Sequence, residues 1–218
     1  MSTAIIGVGN IGGAVATHLT AGGETVVLAA QTRASAERLA RTLRDRASAA
    51  DVADAIERAE AVILAVWFDA IKELVGRYAS ELDGKVVVDP SNPVAPNDSG
   101  GFSRTLADGV SAGSVIARML PRGAHFAKAF GTLAADSLAT GANRSPERAV
   151  LFYATDDDAA AAVVERLIST AGFDPVKVGG VDQAIRIEMF GDLHDLGGLN
   201  GRMVTVEEAR ALLAREQR

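Results

Sequence analysis

Thr3-Ala4-Ile5-Ile6-Gly7-Val8-Gly9-Asn10-Ile11-Gly12-Gly13 is the stretch on which the fold turns. An apolar run ends in G-x-G-x-x-G, and Ile11, Ala14, Val15, His18 and Leu19 then recur at helical spacing. Residues 3–8 read as a buried parallel strand. Gly7 allows a sharp turn out of it, Gly9 lets the backbone approach a pyrophosphate, and Gly12 lets the following helix lie close to the sheet. The start of that helix offers unpaired N–H groups and a partial positive charge. Gly22-Gly23 ends the helix, and residues 25–30 read as a second strand. Strand, glycine loop, helix and strand together fit one βαβ unit of about 30 residues.

The alternation continues along the chain. Residues 61–66, 85–89, 124–130, 149–154 and 174–178 read as strands, and a poorly marked one lies near 47–50. Helical spacing falls between them, including a long helix with Asp156–Asp158 in its first turn. Thr205 and Glu208 form a T-x-x-E capping box for a last helix. The pattern predicts an α/β fold, a Rossmann-type doubly wound, mostly parallel sheet with a small C-terminal extension. Residues 1–178 are expected to form the nucleotide-binding domain and 179–218 an extension packed on it. A long connection leaves the strand ending at Asp89, on the side where open α/β sheets bind ligands, and is expected to be functional.

Bulk properties narrow the function. A chain of 218 residues with 48% hydrophobic and 23% charged residues matches an ordinary globular protein. A net charge of −6 argues against nucleic acid or an anionic membrane as the main partner. With no cysteine and with three histidines lacking H-x-x-x-H spacing, no metal site is expected. The absence of a signal peptide or a long apolar run makes the cytoplasm the expected location.

The cofactor is read about 20 residues past the glycines, where an NAD site carries Asp or Glu. Here Ala29-Ala30-Gln31-Thr32-Arg33 stands instead. No carboxylate repels a 2′-phosphate, Thr32 offers a hydroxyl, and Arg33 offers a charge-assisted donor. The pattern selects NADP(H), with Gly7, Val8, Gly9, Asn10, Ile11, Gly12, Gln31, Thr32 and Arg33 as the expected contacts.

Beyond those residues the sequence resembles the NADPH-dependent oxidoreductases related to coenzyme F420 (5-deazaflavin):NADP oxidoreductase. The segments that carry the resemblance are Gly7–Gly13, Thr32-Arg33, Ile63-Leu64-Ala65-Val66-Trp67-Phe68, Asp89-Pro90-Ser91-Asn92-Pro93 and Lys128-Ala129-Phe130-Gly131-Thr132-Leu133. Trp67 stands where the family usually has proline, and Gly131 where it usually has asparagine. The resemblance implies a homodimer with NADPH across the strand ends. It places Ala65, Val66, Trp67, Asn92 and Pro93 near the cofactor's ribose and nicotinamide, and Phe130, Gly131 and Thr132 beside the hydride acceptor.

The resulting expectation is hydride transfer between NADPH and a flavin-like ring, a 5-deazaflavin, or another small acceptor. Transfer between two cofactors needs orientation and water exclusion rather than an obligatory acid or base, so no catalytic side chain is assigned. Phe190 and His194 of the extension are added to the acceptor pocket, His194 as the best polar candidate. The competing reading is a non-catalytic NADPH-binding redox sensor or partner subunit. It keeps the glycine loop, Thr32 and Arg33 but lacks an acceptor pocket.

Overall fold

A strand buried on both faces must be apolar on both, and Ala4, Ile5 and Ile6 show the consequence. Ile5 enters one hydrophobic layer with Val15, Leu19, Ile63 and Val88, while Ala4 and Ile6 enter the opposite layer with Val27, Val62, Leu64 and Val87. The computed structural model describes residues 2–215. Its first half runs β1 (Ser2–Ile6), α1 (Asn10–Ala21), β2 (Thr25–Ala29), α2 (Arg33–Leu43), β3 (Ala47–Ala49), α3 (Val52–Glu57), β4 (Ala61–Leu64), α4 (Phe68–Arg77), α5 (Ala79–Leu82) and β5 (Val86–Asp89). The second half runs β6 (Val94–Pro96), β7 (Phe102–Arg104), α6 (Ala112–Met119), β8 (His125–Lys128), α7 (Ala135–Thr140), β9 (Val150–Ala154), α8 (Asp158–Thr170), β10 (Asp174–Gly179) and α9 (Val206–Arg215).

Eight strands form one sheet in the order β10-β9-β8-β5-β4-β1-β2-β3. The stretch β3-β2-β1-β4-β5-β8 is parallel throughout and is the Rossmann order, which reverses direction of growth between β1 and β4. β9 meets β8 antiparallel through Lys128 and Ala154 and pairs parallel with β10, so the sheet is mostly parallel.

Several sequence expectations shift in detail. β1 ends at Ile6 rather than residue 8, because Gly7 already has φ +102° and turns away from the ladder. The long connection after β5 is not structureless: β6 and β7 pair as an antiparallel hairpin. The three aspartates before α8 divide their work. Asp157 caps the helix by accepting from Ala160 N–H at 2.9 Å. Asp156 accepts from Val181 N–H at 3.1 Å and so ties down the segment that follows β10. The Thr205–Glu208 box forms reciprocally at 2.9 and 3.4 Å.

Residues 180–209 are irregular in sequence because they follow a surface, not a ladder. Ala184, Ile187, Leu193, Leu199, Val204 and Ala209 pack on Val150, Phe152 and Ala154 of β9 and form a third apolar cluster. Among the described residues no helix is long and apolar enough to cross a membrane, and no group of three His, Asp or Glu could hold a metal ion.

Candidate functional site

The carboxyl ends of β2, β1, β4, β5 and β8 open into a cleft of 1040 Å³. At its centre the β1–α1 turn is pressed against the end of β4. A Cβ on Gly7 would lie 2.2 Å from the Ala65 carbonyl oxygen, and one on Gly12 would lie 2.0 Å from the Gly7 carbonyl oxygen. Only glycine permits this approach at either position. Gly9 differs, because a Cβ there would meet nothing within 4 Å. The start of α1 thus faces open space, with its first N–H groups unpaired by the helix itself.

One end of the cleft is built by α2. Thr32 precedes the helix, and its Oγ1 lies 2.8 Å from Ser35 Oγ, which accepts from Arg38 Nη2 at 2.9 Å. Thr32, Ser35, Arg38 and Thr42 all line the cleft, since that spacing follows one helical face. Arg33 projects from another face. It donates to Glu37 at 3.1 Å and to Asp51 at 3.4 Å, and it lies outside the cleft lining. Among the described residues Arg38 is the cation in the cleft lining, with Arg33 one face round the helix from it. The lining contains no Asp or Glu among the described residues.

Of the other expected cofactor contacts, Gly7, Val8, Gly9, Asn10, Ile11, Gln31, Ala65, Val66, Trp67 and Asn92 line the cleft. Gly12 and Pro93 do not. Gly12 is spent on the helix–strand approach, and the Pro93 carbonyl accepts from Thr105 N–H at 2.8 Å at the base of the hairpin. Trp67 is 60% exposed and sits 6.4 Å from Phe102 of β7, so two aromatic rings flank the cleft mouth.

The opposite end is assembled from three distant segments. Asn92, after β5, donates to the Gly131 carbonyl at 3.2 Å and accepts from Met189 N–H at 2.6 Å. Asp195 N–H donates to the Thr132 carbonyl at 3.1 Å, and Asp195 Oδ2 accepts from Ala134 N–H at 2.8 Å. Of the expected acceptor residues, His194 lines the cleft. Phe130 is fully buried in the core, Thr132 is buried, and Phe190 points outward at 51% exposure; with Gly131 they stand behind or beside the lining. Leu133, Ala134, Met189 and Leu196 supply the apolar wall instead. Phe130 and Phe190 have φ of +63° and +74°, a costly conformation for a bulky residue, and both flank this end.

Behind Ser91 lies a charged cluster that the sequence did not reveal as one. Lys128 Nζ donates to Asp89 Oδ2 at 2.8 Å and to the Ser91 carbonyl, and lies 3.7 Å from Glu188 Oε1. All three side chains are at most 2% exposed. Glu188 also accepts from Gly113 N–H at 2.9 Å. Burial pushes its carboxyl above the usual range, with Lys128 opposing the shift. Glu188 thus joins the extension to the β5 loop through Lys128. The signal available was Lys128 at the end of an apolar strand, where a lysine needs a buried partner.

The fold and glycine cradle define a Rossmann-type α/β protein. Residues 2–93 match the family model described as NADP oxidoreductase, coenzyme F420-dependent. A hypothetical protein from Sinorhizobium meliloti is 30% identical, with 89% of this chain and 93% of that one aligned at a TM-score of 0.79. An Arthrobacter sp. FB24 protein described as an F420-dependent NADP reductase is 24% identical over 84% of this chain and 87% of that one, at a TM-score of 0.71. A reductive aminase from Aspergillus terreus, solved with NADPH and ethyl levulinate, shares the fold at 23% identity and a TM-score of 0.64. It aligns over 92% of this chain and 60% of its own. No curated protein matches the chain. Residues 2–93 are therefore similar to the coenzyme F420-dependent NADP oxidoreductases, a family of NADP-dependent oxidoreductases.

Proposed function

We propose that this chain binds NADPH along the cleft and reduces a flavin-like or other small acceptor held between the post-β8 segment and the C-terminal extension. The observation that carries the reading is a carboxylate-free cleft with an open helix start at Gly9 and Arg38 at its β2 end. Those features fit an anionic dinucleotide. The start of α1 would take the pyrophosphate, and Thr32, Ser35 and Arg38 the 2′-phosphate. NADPH, when bound, supplies a hydride from C4 of its dihydronicotinamide ring.

The remaining work falls to the chain. Asn92 holds the β5 loop, the Gly131 carbonyl and Met189 in one arrangement, which fixes the distance between cofactor wall and acceptor wall. Leu133, Met189 and Leu196 exclude water, and Trp67 with Phe102 offers flat surfaces to a ring. The same reading takes the protein as a cytoplasmic homodimer, which analytical ultracentrifugation would check for assembly.

Calorimetric titration with NADPH and NADH, followed by NADPH oxidation at 340 nm with deazaflavin, FMN, quinones and carbonyl compounds, tests the reading. Tight NADPH binding with turnover on one class supports it. Absence of NADPH binding overturns it. Binding without turnover on any acceptor would favour the sensor.

A further inference from the structure

Five large apolar side chains are exposed among the described residues, and three of them, Trp67, Phe102 and Leu196, line the cleft. Exposed apolar surface gathered in one place marks a binding site. Trp67 is the single tryptophan of the chain and precedes α4, where its carbonyl accepts from Ile71 N–H at 3.0 Å and the next residue, Phe68, is buried. The turn is thus anchored while the indole stands 60% exposed. Phe102 is held by the β6–β7 hairpin, opposite Pro96 in the ladder. Asn97 closes that hairpin by accepting from Gly101 N–H at 3.0 Å and donating to Ser103 Oγ at 3.1 Å. Both rings are therefore set in place in advance, 6.4 Å apart at their centroids and tilted by 41°.

The polar groups at this end of the cleft are already engaged. Asn92 donates to the Gly131 carbonyl and accepts from Met189 N–H. His194 Nδ1 accepts from Leu196 N–H at 2.9 Å, and its Nε2 is buried, as is Ser91 Oγ. Among the described residues Arg38 is the one Lys, Arg, Asp or Glu in the lining, and it belongs to the β2 end, beyond β4 and β1 in the sheet order. Cations on neighbouring stretches are held within the protein. Lys72 pairs with Asp69 at 2.7 Å, Arg186 with Asp192 at 2.8 Å and Lys128 with Asp89 at 2.8 Å, and Arg104 donates to the Val110 carbonyl. With Val94, Leu133, Met189 and Leu196, this end offers apolar and aromatic surface and no countercharge. An anionic group brought here loses water and gains no partner, whereas an uncharged ring loses little.

We propose that the acceptor is an uncharged, planar conjugated ring of the quinone or neutral isoalloxazine class, gripped by Trp67 and Phe102 and carrying no phosphate or carboxylate tail. The inference rests on the NADPH reading above and narrows its acceptor. The ring gains one hydrogen with its electron pair from C4 of the reduced nicotinamide, leaving NADP⁺, and one proton from water. Together these complete a two-electron reduction to the dihydro form. Recognition is by stacking and shape, so Trp67 and Phe102 determine specificity.

Matched acceptors isolate the charge. Riboflavin and FMN share a ring and differ by one phosphate group, as do 5-deazariboflavin and its 5′-phosphate, and menadione supplies an uncharged quinone. With saturating NADPH, followed at 340 nm, kcat/KM for the uncharged member of each pair should equal or exceed that of the phosphorylated one. Trp67→Ala and Phe102→Ala should each raise the KM of the best uncharged ring about tenfold, the worth of stacking plus lost apolar contact, and Trp67→Phe should restore most of it. Quenching of Trp67 fluorescence by riboflavin, titrated onto the NADP⁺-loaded protein, reads the same contact without turnover. A phosphorylated acceptor favoured more than about threefold overturns the proposal. So does an unchanged KM in both alanine variants, including the case in which they alter only sedimentation and the two rings cover a second copy of this chain. Loss of NADPH affinity with an unchanged KM for the ring would make the pair a cofactor clamp and would also overturn it. If NADPH binds and no uncharged ring is reduced, this inference falls while the cofactor reading stands; if NADPH does not bind, both fall.

Discussion

The two ends of the cleft are built by opposite strategies. Around β1, α1 and β2 the contacts come from residues close in sequence, and the decisive quantities are missing side chains: Gly7 and Gly12 work by what they lack. Around β5, β8 and the extension, residues some 40 to 100 positions apart are drawn together by Asn92, Lys128 and Asp195. The first end is a backbone device and the second a network of buried polar side chains. A backbone device tolerates variation in its neighbours. A buried network does not, because losing one member leaves the others desolvated and unpaired.

Substitutions can break or sharpen that contrast. The largest effect is expected for Lys128→Met, which leaves Asp89 and Glu188 buried without their cation. It should cost about 3–5 kcal/mol in urea unfolding. A loss below about 1 kcal/mol would mean that the cluster does not hold the acceptor end together.

Gly12→Val addresses the other end. Its Cβ would start 2.0 Å from the Gly7 carbonyl oxygen, so α1 must shift. Stability should fall by about 1–3 kcal/mol through overpacking. NADPH binding should fall further than stability does, and calorimetry on the folded variant separates the two.

Arg38→Ala should weaken NADPH by about 1.5–3 kcal/mol, the worth of a hydrogen bond to a charged group, and leave NADH nearly unchanged. Arg33→Ala removes only exposed ion pairs and should change NADPH binding by less than about 1 kcal/mol. The reverse ranking would restore the sequence-based assignment.

The smallest effect depends on pH. Glu188 has a raised folded-state pKa, so its contribution to stability is present below the ordinary Glu value of about 4.3 and is lost as pH rises through the folded one. Glu188→Gln should therefore gain on the wild type as pH rises, seen as a growing difference in Tm. A difference that shrinks with rising pH would mean that ion pairing with Lys128 outweighs burial.

Much of the nucleotide end was legible because local spacing encodes it. The glycine spacing marked the β1–α1 turn, and the missing acid after β2 marked the cofactor preference. There the structure adds a second cation to weigh: Arg33, chosen by proximity to the strand, pairs with Asp51, while Arg38 further along α2 lines the cleft. Thr32, Ser35, Arg38 and Thr42 carried that signal in their spacing. At the acceptor end the segments were visible one by one. Their joining was not, because nothing in residues 89–92, 128–132 or 186–196 taken alone says which carboxylate meets which lysine.

From its sequence alone, this protein's sheet and glycine cradle were determined, since period, turn chemistry and the absence of side chains act within a few residues. Tertiary structure alone decided that Arg38 lines the cleft, that Glu188 is buried against Lys128, and that the adjacent His194 and Asp195 side chains are both buried. Those outcomes depend on burial and on partners distant in the chain, and burial sets whether a charged or polar group is solvated, paired or left seeking a partner.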